Sequence, residues 1–479
     1  MAKTLLLIPP LTLSQRMGGL AEAGAVMPAL GVLYIASWMR KQLLEVEILD
    51  AESLRLDLDN TVKAILDRSP DVLGITTTTL SIIPAAEIAR EIKARRKDIK
   101  IFLGGPHVTA LPHESLQDFA DIDGCILGDG EISFAHIVRN ISNGLNAGQG
   151  VDGIMWREGV EISYNPKTKH LSDLDSLPFP AWDLLKGFPK NYRPAFHSYR
   201  RLPQANIILT RGCPYACSFC DRSVFGNKIY SHSVDYAIEM IEYLVKDFGI
   251  KEISIKDDTF LLSPERVAEF CQRIRQKRID LTWSCNGRVN TITEDILREM
   301  KSAGCWLISY GIESGSPKML KKMAKDINLG QVREALRLTR SSGIVAKGFF
   351  MIGIPGETEE SLRQTLDFVN ELPLDELNVN FFTPFPGSRL YAEVIAEGFK
   401  PEFCRMNMTE PSYVPKGLTA QNLCEYQKRI IYSFYLRPSK VISYASRALK
   451  DVHEFKRIFR MTNIFTGFMF SGFKQRKLN

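Results

Sequence analysis

Cysteines are few in this chain, and long apolar segments are absent from it. The nine cysteines among 479 residues form no framework of pairs, which argues against a disulfide-rich secreted protein and favours a reducing compartment. No run reaches the ~20 apolar residues that a membrane-spanning helix needs, and the apolar run at residues 5–8 is too short for a signal peptide. We therefore expect a cytoplasmic globular protein.

A strong excess of one charge is absent as well. The 61 lysines and arginines face 55 aspartates and glutamates, a net charge of +6, which is too mild to indicate a nucleic-acid partner. Hydrophobic residues make up 45% of the chain and charged residues 24%, values typical of a globular protein with a normal core. The length corresponds to about three domains.

The first third alternates apolar runs with helical stretches. Runs near residues 5–8, 46–49, 72–75, 99–103 and 125–127 predict five strands. This pattern is typical of an α/β fold with a doubly wound, Rossmann-like parallel sheet. Such sheets bind ligands beyond the carboxyl ends of their strands, although ordinary turns with helix caps would explain the same residues. No G-x-G-x-x-G motif follows the first strand, so a dinucleotide site is weakly supported.

A second set of strand–helix units runs from residue 205 to about residue 385. Six predicted strands begin near residues 206, 252, 281, 307, 348 and 378. Six such units predict a partial (β/α)6 barrel, and the active sites of parallel barrels lie at the carboxyl ends of their strands. The polar residues that follow each strand are therefore the first candidates for function.

Three cysteines mark the start of this barrel. Cys213, Cys217 and Cys220 have C-x3-C-x2-C spacing directly after the apolar run at 206–209. Iron–sulfur clusters are held by cysteine thiolates, usually four, so three ligands would leave one iron open. A zinc site would need a fourth cysteine or histidine at close spacing, and the one nearby imidazole is His232. Three buried structural cysteines are the remaining interpretation.

This loop, with the aromatic Phe219 before its last cysteine, resembles the cluster loop of the radical SAM superfamily. The resemblance implies a 4Fe–4S cluster on the three cysteines, with S-adenosylmethionine (SAM) at its open iron. It also implies cleavage of SAM to a 5′-deoxyadenosyl radical, with electrons from an external donor of the flavodoxin or ferredoxin type. The protein's part in such chemistry is to position the cofactor and to exclude side reactions.

Residues after the barrel strands are similar to the family's SAM contacts. An aspartate after the second strand, Asp257 or Asp258, is expected to bind the SAM ammonium, and Arg288 is expected to clamp its carboxylate. Glu313 matches the family's ribose contact. The resemblance also assigns to SAM two aromatic residues of the cluster loop and the adenine motif after the fifth strand, which are Tyr215, Phe219, Gly353, Ile354 and Pro355.

The first domain resembles the cobalamin-binding domain of cobalamin-dependent radical SAM enzymes, on its turns at 104–107 and 128–131 and its entry at 27–31. The resemblance implies cobalamin contacts at Thr76, Thr77, Thr78, Gly104, Gly105, His107, Gly128, Gly130 and Glu131. The D-x-H-x-x-G motif whose histidine ligates cobalt is absent from this domain. We therefore predict no histidine beneath cobalt. His107 is interpreted as a turn residue, with a role as a metal ligand as the alternative.

The predicted organisation has four parts. They are a cobalamin-binding domain over 1–145, a linker over 146–200, the radical SAM barrel over 201–395 and a helical region over 396–479. The linker pattern Leu-Pro-x-Pro-Ala-Trp-Asp at residues 177–183 is similar to the segment that joins the two domains in that family.

The end of the chain leaves two interpretations open. A helical region at 420–460 carries Tyr426, Ile430 and Phe434 on one stripe. The tail at 455–479 mixes phenylalanines with lysines and arginines, as interfacial segments do. Peripheral membrane contact, which would reach a lipid-like substrate, is one hypothesis. A helical lid or docking surface with a solvated basic end is the other.

The resemblance favours methyl transfer to an unactivated carbon of a small-molecule substrate, as in class B radical SAM methyltransferases, through the 5′-deoxyadenosyl radical and methylcobalamin. One alternative keeps both cofactors but catalyses an oxidation, cyclisation or rearrangement. Another is a radical SAM enzyme whose first domain binds no corrin. Cys285 and Cys305 are expected to be small buried hydrophobes, with a catalytic role as the alternative.

Overall fold

The computed structural model describes residues 2–18, 21, 24–195, 198–442 and 444. They form two large β-sheets, each carrying helices, that lie against each other through a shared interface. The amino-terminal sheet has seven strands and the second sheet has six. The predicted Rossmann-like sheet and partial barrel are confirmed.

The first sheet has the spatial order β2-β1-β3-β4-β5-β6-β7. Its strands are β1 (Thr4–Ile8), β2 (Val46–Asp50), β3 (Val72–Thr76), β4 (Lys100–Gly104), β5 (Gly124–Ile126), β6 (Ile154–Glu158) and β7 (Glu161–Asn165). Its helices are α1 (Leu13–Met17), α2 (Leu30–Lys41), α3 (Leu58–Arg68), α4 (Ile82–Arg95), α5 (Pro106–Ala110), α6 (Pro112–Asp118) and α7 (Glu131–Ser142). Neighbouring residues of β1 enter opposite cores, Leu6 on one face and Leu7 on the other, as parallel strands covered on both sides do.

The last two strands of this sheet form an antiparallel hairpin that the sequence did not predict. β6 pairs with β5, and β7 pairs with β6, so the sheet extends into the segment expected to be linker. The outer strand is only partly buried along its length. Because a half-exposed edge strand carries little apolar alternation, its pattern is weak in the sequence.

The second sheet has the order β15-β14-β13-β12-β11-β8, and all of its pairings are parallel. Its strands are β8 (Gln204–Ile207), β11 (Glu252–Ile255), β12 (Thr282–Gly287), β13 (Cys305–Glu313), β14 (Val345–Ile352) and β15 (Glu376–Phe381). A short antiparallel ribbon pairs β9 (Thr210–Arg211) with β10 (Tyr230–Ser231). The sequential order makes an open barrel whose strand carboxyl ends share one rim.

Helices connect the barrel strands and begin at capping residues. They are α8 (Val234–Phe248), α9 (Pro264–Gln276), α10 (Glu294–Ser302), α11 (Pro317–Lys322), α12 (Leu329–Ser341) and α13 (Glu359–Glu371). Five of them begin after a side chain that accepts a hydrogen bond from the first turn, namely Ser233, Ser263, Thr293, Asn328 and Thr358. Such caps satisfy backbone donors that have no partner within the helix.

The two sheets share a core through α2 and the linker. Leu30 and Leu33 of α2 belong to the same apolar cluster as the barrel interior, and Trp182 of the linker is fully buried in it. The backbone N–H of Ala181 donates to the carbonyl of Leu33 at 3.2 Å. The first domain is therefore packed onto the barrel.

The carboxyl-terminal part adds α14 (Arg389–Ala396) and α15 (Ala420–Tyr435). Ile430 and Phe434 of the predicted stripe are buried, and Tyr426 packs beside them. Residues 445–460 of the predicted helical region lie outside the described residues. The basic tail, 455–479, lies outside the described residues. No helix within the described part of the chain is both long and apolar enough to cross a bilayer.

Candidate active site

The three motif cysteines lie on one loop, which leaves the barrel after β9 and returns at β10. Gly212 begins this loop with a φ of +89°, a conformation that favours glycine. A Cβ at this position would also overlap the carbonyl oxygen of Lys228 across the loop. The turn that precedes Cys213 therefore requires glycine.

Ser218, between the second and third cysteines, attaches the loop to the barrel. Its N–H donates to Met323 O at 2.8 Å, and its hydroxyl donates to Lys322 O at 3.0 Å. Its own carbonyl accepts from Leu390 N at 2.9 Å, at the start of α14. The loop is thus attached to the barrel and to the start of α14 by hydrogen bonds.

The thiols suit a cluster that displaces their protons. Cys217 is buried, Cys213 is half-buried and Cys220 is exposed. Burial raises the pKa of the half-buried Cys213 thiol, so metal binding must release a proton here. Arg288 Nη1 lies 3.7 Å from Cys217 Sγ and would offset negative charge on a cluster.

Within the described residues, no three His, Cys, Asp or Glu side chains converge tightly enough to hold a single metal ion. A four-iron cube places its cysteine ligands on different irons, so it needs spaced sulfurs on one loop instead of ligands that meet at one point. The loop offers such an arrangement, and its residues fit the cluster.

The two aspartates after β11 face different ways. Asp257 is 1% exposed and accepts a hydrogen bond from Leu209 N at 2.6 Å, and burial raises its pKa to about 6. Asp258 lines the cavity between the sheets. The pKa of Cys213 is raised first by the burial of that thiol and further by the negative charge of Asp258. Of the two predicted ammonium contacts, Asp258 is the accessible one beside the cysteine loop.

Arg288 is held firmly at the barrel rim. Its guanidinium stacks on Tyr215 of the cysteine loop at 3.6 Å from the ring centre. It also donates to the backbone carbonyls of Lys325 and Asp326. The structure brings Arg288 and Tyr215 together beside Cys217, while the predicted clamp on the SAM carboxylate stays a prediction.

Glu313, the predicted ribose contact, is paired with a lysine that the sequence did not indicate. Lys325 Nζ lies 2.7 Å from Glu313 Oε1, and both side chains are nearly buried. The ammonium also lies 5.6 Å from the ring centre of Phe219. Glu313 has a φ of +68°, at an irregularity in the pairing of β13 with β14. Strained backbone of this kind is common at ligand sites.

The predicted adenine motif is stabilised by a buried acid. Glu357 Oε2 accepts hydrogen bonds from the backbone N–H groups of Gly353 and Ile354, and Pro355 lies buried within the same turn. Its other oxygen has no hydrogen-bond partner among the described residues. Burial raises the pKa of Glu357 to about 7.

A cavity of about 400 Å³ lies where the carboxyl ends of the first sheet face the barrel. Of the predicted cobalamin contacts, six line it: Thr76, Gly104, Gly105, Gly128, Gly130 and Glu131. A Cβ at Gly31 or Gly104, which both line the cavity, would meet no protein atom within 4 Å. These glycines leave open space where a flat ligand could approach the backbone, so this wall fits a corrin.

Three other predicted contacts are not among the residues that line this cavity. Thr77 is buried, and its hydroxyl donates a hydrogen bond to the carbonyl of Gly104. Thr78 is exposed. His107 packs edge-on against Phe403, at 4.7 Å between ring centres, and burial lowers its pKa to about 4. His107 lies in the first turn of α5 and not in the strand-to-helix turn that was predicted, and its place in a corrin site stays a prediction.

An ion pair crosses the cavity wall between the two domains. Arg211, two residues before Cys213, donates to Glu131 Oε1 at 2.7 Å. Both side chains are less than 10% exposed, and Tyr34 lies 4.9 Å from the guanidinium. The pair connects the start of α7 with the base of the cysteine loop. Nothing in the sequence indicated this pair beyond the positions of its members, since Arg211 precedes Cys213 and Glu131 ends the turn at 128–131.

Cys285 and Cys305 lie in the apolar core of the barrel with Cys271. Burial, followed by the neighbouring Cys305 thiol, raises the pKa of Cys285. A protonated thiol away from any cavity has little nucleophilic character. The placement supports the interpretation of these residues as small hydrophobes.

Two family models match the sequence. The model of the radical SAM superfamily matches residues 207–369, and the model of the B12 binding domain matches residues 17–138. The first span contains the cysteine loop and most of the barrel. The second contains most of the first sheet and its cavity-lining turns.

Relatives and solved structures resemble the chain over most of its length. An uncharacterized methyltransferase of Pyrococcus horikoshii is 32% identical over 457 residues, 94% of this chain and 95% of that protein. The anaerobic magnesium-protoporphyrin IX monomethyl ester cyclase of Rubrivivax gelatinosus is 26% identical over 414 residues, 85% of this chain and 73% of that protein.

A solved structure of the radical S-adenosylmethionine methyltransferase TsrM from Kitasatospora setae, with cobalamin and a [4Fe-4S] cluster bound, has the same fold. Its TM-score is 0.68 at 19% identity, covering 83% of this chain and 75% of that one. Together with the cysteine loop at the barrel rim and the cavity between the sheets, these matches show that the chain belongs to the radical SAM superfamily, among the members that carry a B12-binding domain.

Proposed function

We propose that the protein transfers a methyl group from SAM to an unactivated carbon of a small molecule, using a 4Fe–4S cluster and cobalamin. Cys213, Cys217 and Cys220 would hold the cluster, and the cavity-lining turns of the first sheet would hold the corrin. Bound together, these groups supply the reductive cleavage of SAM to a carbon radical and the delivery of a methyl group.

One observation carries this proposal. The cavity that fits a corrin is lined from both domains, by Gly104 and Gly128 of the first sheet and by Arg211, Lys256 and Asp258 of the barrel. The cysteine loop begins beside Arg211, so the cluster and its SAM would lie at the barrel side of this cavity, next to the corrin. Placement of reacting groups at near-attack distances can lower the activation barrier by ~7–11 kcal/mol.

The chain's own residues have positioning roles in this proposal. Asp258 would accept a charge-assisted hydrogen bond from the SAM ammonium, and Glu313 would accept hydrogen bonds from the ribose hydroxyls of SAM. The apolar part of the cavity wall, which includes Phe102 and Phe134, excludes water from a radical that would otherwise be quenched. Ile354, fully buried after β14, would pack on the adenine.

The decisive experiment is anaerobic reconstitution with iron, sulfide and cobalamin, followed by assay with SAM and a strong reductant. We expect 5′-deoxyadenosine and S-adenosylhomocysteine together. Replacing Cys213, Cys217 and Cys220 by alanine should abolish the absorbance of the cluster and reduce deoxyadenosine formation to background. Replacing the core cysteine Cys271 by alanine is the matched control, which should keep both. Turnover that survives the triple replacement would refute the proposal.

A non-methylating reaction is the second candidate, and the cyclase of Rubrivivax gelatinosus favours it. A ring closure or oxidation consumes SAM for radical formation but leaves no methyl group in the product. With SAM carrying a deuterated methyl group, a methyltransferase gives a product that carries the label. A cyclase gives deoxyadenosine and an unlabelled product.

The remaining alternative is a first domain that binds no corrin. The match to a B12-binding model and the glycine-lined cavity both argue against it. Protein that acquires no corrin absorption after incubation with cobalamin would favour it. In each case an external one-electron donor of the flavodoxin or ferredoxin type must reduce the cluster.

A further inference from the structure

Two charged side chains in the interdomain cavity have no ion-pair partner among the described residues. Five charged residues line this cavity: Asp129, Glu131, Arg211, Lys256 and Asp258. Arg211 pairs with Glu131 at 2.7 Å, and Asp129 pairs with Lys167 at 2.6 Å. Within the described part of the chain, Lys256 and Asp258 have no opposite charge within the 4.0 Å that defines an ion pair.

Strand geometry fixes where these two groups point. Lys256 directly follows β11, and its backbone N–H donates to Ile207 O at 2.8 Å, which continues the pairing with β8. Side chains alternate along an extended strand, so Lys256 and Asp258 reach the cavity while Asp257 turns into the protein. The ammonium of Lys256 therefore extends from a fixed backbone position.

The surroundings of Lys256 favour an anionic ligand. Lys256 is exposed toward the open cavity, so its ammonium is accessible to a ligand there, and partial desolvation by the surrounding protein lowers its pKa. The other cation of the lining, Arg211, is already bonded to Glu131. A carboxylate or phosphate beside Lys256 would supply the missing counter-charge.

Asp258 is already assigned in the proposed function, to the SAM ammonium. Among the residues that the structure describes, that assignment leaves Lys256 as the one cation of the cavity lining without an ion-pair partner. We propose that Lys256 binds an anionic group, a carboxylate or a phosphate, on the substrate. This inference rests on the proposed function, and it names the substrate class of the same cavity.

The first test uses thermal unfolding of the cobalamin-loaded full chain in inorganic phosphate, with chloride at equal ionic strength as the reference. Wild type and Lys256→Arg should gain about 1–3 °C at phosphate concentrations that exceed the dissociation constant, and Lys256→Met should gain nothing. Equal gains in wild type and Lys256→Met overturn the proposal.

The second test measures Lys256 itself by acylation and peptide mass spectrometry, with the exposed Lys251 as internal reference. Acetate or phosphate should reduce acylation of Lys256 several-fold, while the neutral isostere acetamide should not. Stronger protection by acetate than by phosphate indicates a carboxylate, and the reverse order indicates a phosphate. Equal protection by acetate and acetamide would assign Lys256 to a neutral oxygen, such as a corrin amide, and overturn the proposal. Absence of any protection overturns it as well.

A third measurement separates this inference from the proposed function. Substrate-free cleavage of SAM by the wild type, measured as 5′-deoxyadenosine, requires the cluster but no substrate anion, so it tests the proposed function alone. If the wild type forms none, the proposed function fails while the two anion tests still decide the role of Lys256. If SAM alone protects Lys256 from acylation as strongly as acetate does, Lys256 serves SAM and the proposal is wrong.

Discussion

Glu357 is a buried acid whose protonation depends on the fold. Its pKa rises from an ordinary 4.5 to about 7 because burial disfavours the carboxylate. The folded chain therefore holds this proton at pH values where the unfolded chain has released it. Stability falls as pH rises from about 4.5 to about 7 and stays lower above that, by on the order of 3 kcal/mol.

We expect Glu357→Gln to remove this pH dependence. The amide oxygen can still accept from Gly353 and Ile354, and the side chain carries no charge at any pH. The difference in melting temperature, variant minus wild type, should increase by roughly 2–5 °C between pH 5 and pH 8. Glu360→Gln, an exposed acid on α13, is the control and should show no such trend. A difference that is constant with pH would contradict the assignment.

Single residues were the hardest part of the site to predict. The choice between Asp257 and Asp258 follows from which side of β11 faces the cavity, and sequence alone does not orient a strand. Lys325 lies in no strand-end motif and reaches Glu313 only through the loop after α11. By contrast, the cysteine spacing was sufficient to predict that Cys213, Cys217 and Cys220 share one loop, because a short loop depends on local sequence alone.

Strand β13 ends in an irregularity that places Glu313 and Lys325 beside each other. A Cβ on Gly311 would overlap Glu313 Oε1 and lie 2.8 Å from Lys325 Nζ. Gly311→Ala must therefore displace this pair. We expect about tenfold weaker binding of SAM to the reconstituted protein, or ~1.4 kcal/mol, measured by equilibrium dialysis. Iron content and melting temperature should stay close to wild type, and unchanged SAM affinity would argue against Glu313 as the ribose contact.

Elements with strong apolar runs were predictable from sequence, and weak ones were not. All five strands predicted for the first domain are present within one or two residues of their expected bounds. The hairpin of β6 and β7 was missed because its outer strand is half exposed and lies in a segment of irregular composition. Helix α15 was predicted from its stripe, but its end at Tyr435 was not.

At the scale of the whole molecule, the two domains depend on the buried pair of Arg211 and Glu131. Removing one partner of a buried ion pair commonly costs ~3–5 kcal/mol, because the other charge stays buried alone. Arg211→Met and Glu131→Gln should each lower the melting temperature by several degrees. The double variant should lose less than the sum of the two, with a coupling of about 1–3 kcal/mol. Strict additivity in thermal unfolding would show that the pair does not act as a unit.

The arrangement of the two domains could be predicted only as an order along the chain. Strand–helix repeats indicate two α/β units, but the contact between them comes from scattered residues. Leu30 and Leu33 of α2 pack with Trp182 in the barrel core, although these residues are far apart in sequence. Such long-range packing leaves no local pattern, so the contact between the domains could not be predicted residue by residue.

The attachment of Arg211 to the first domain has a consequence for biogenesis. A single glycine separates this arginine from Cys213, and its carboxylate partner belongs to a region synthesised earlier. The amino-terminal sheet can form while the rest of the polypeptide is still emerging from the ribosome. We therefore expect the barrel to dock on a sheet that is already folded, and the loop of Cys213 to reach its final position only after that docking.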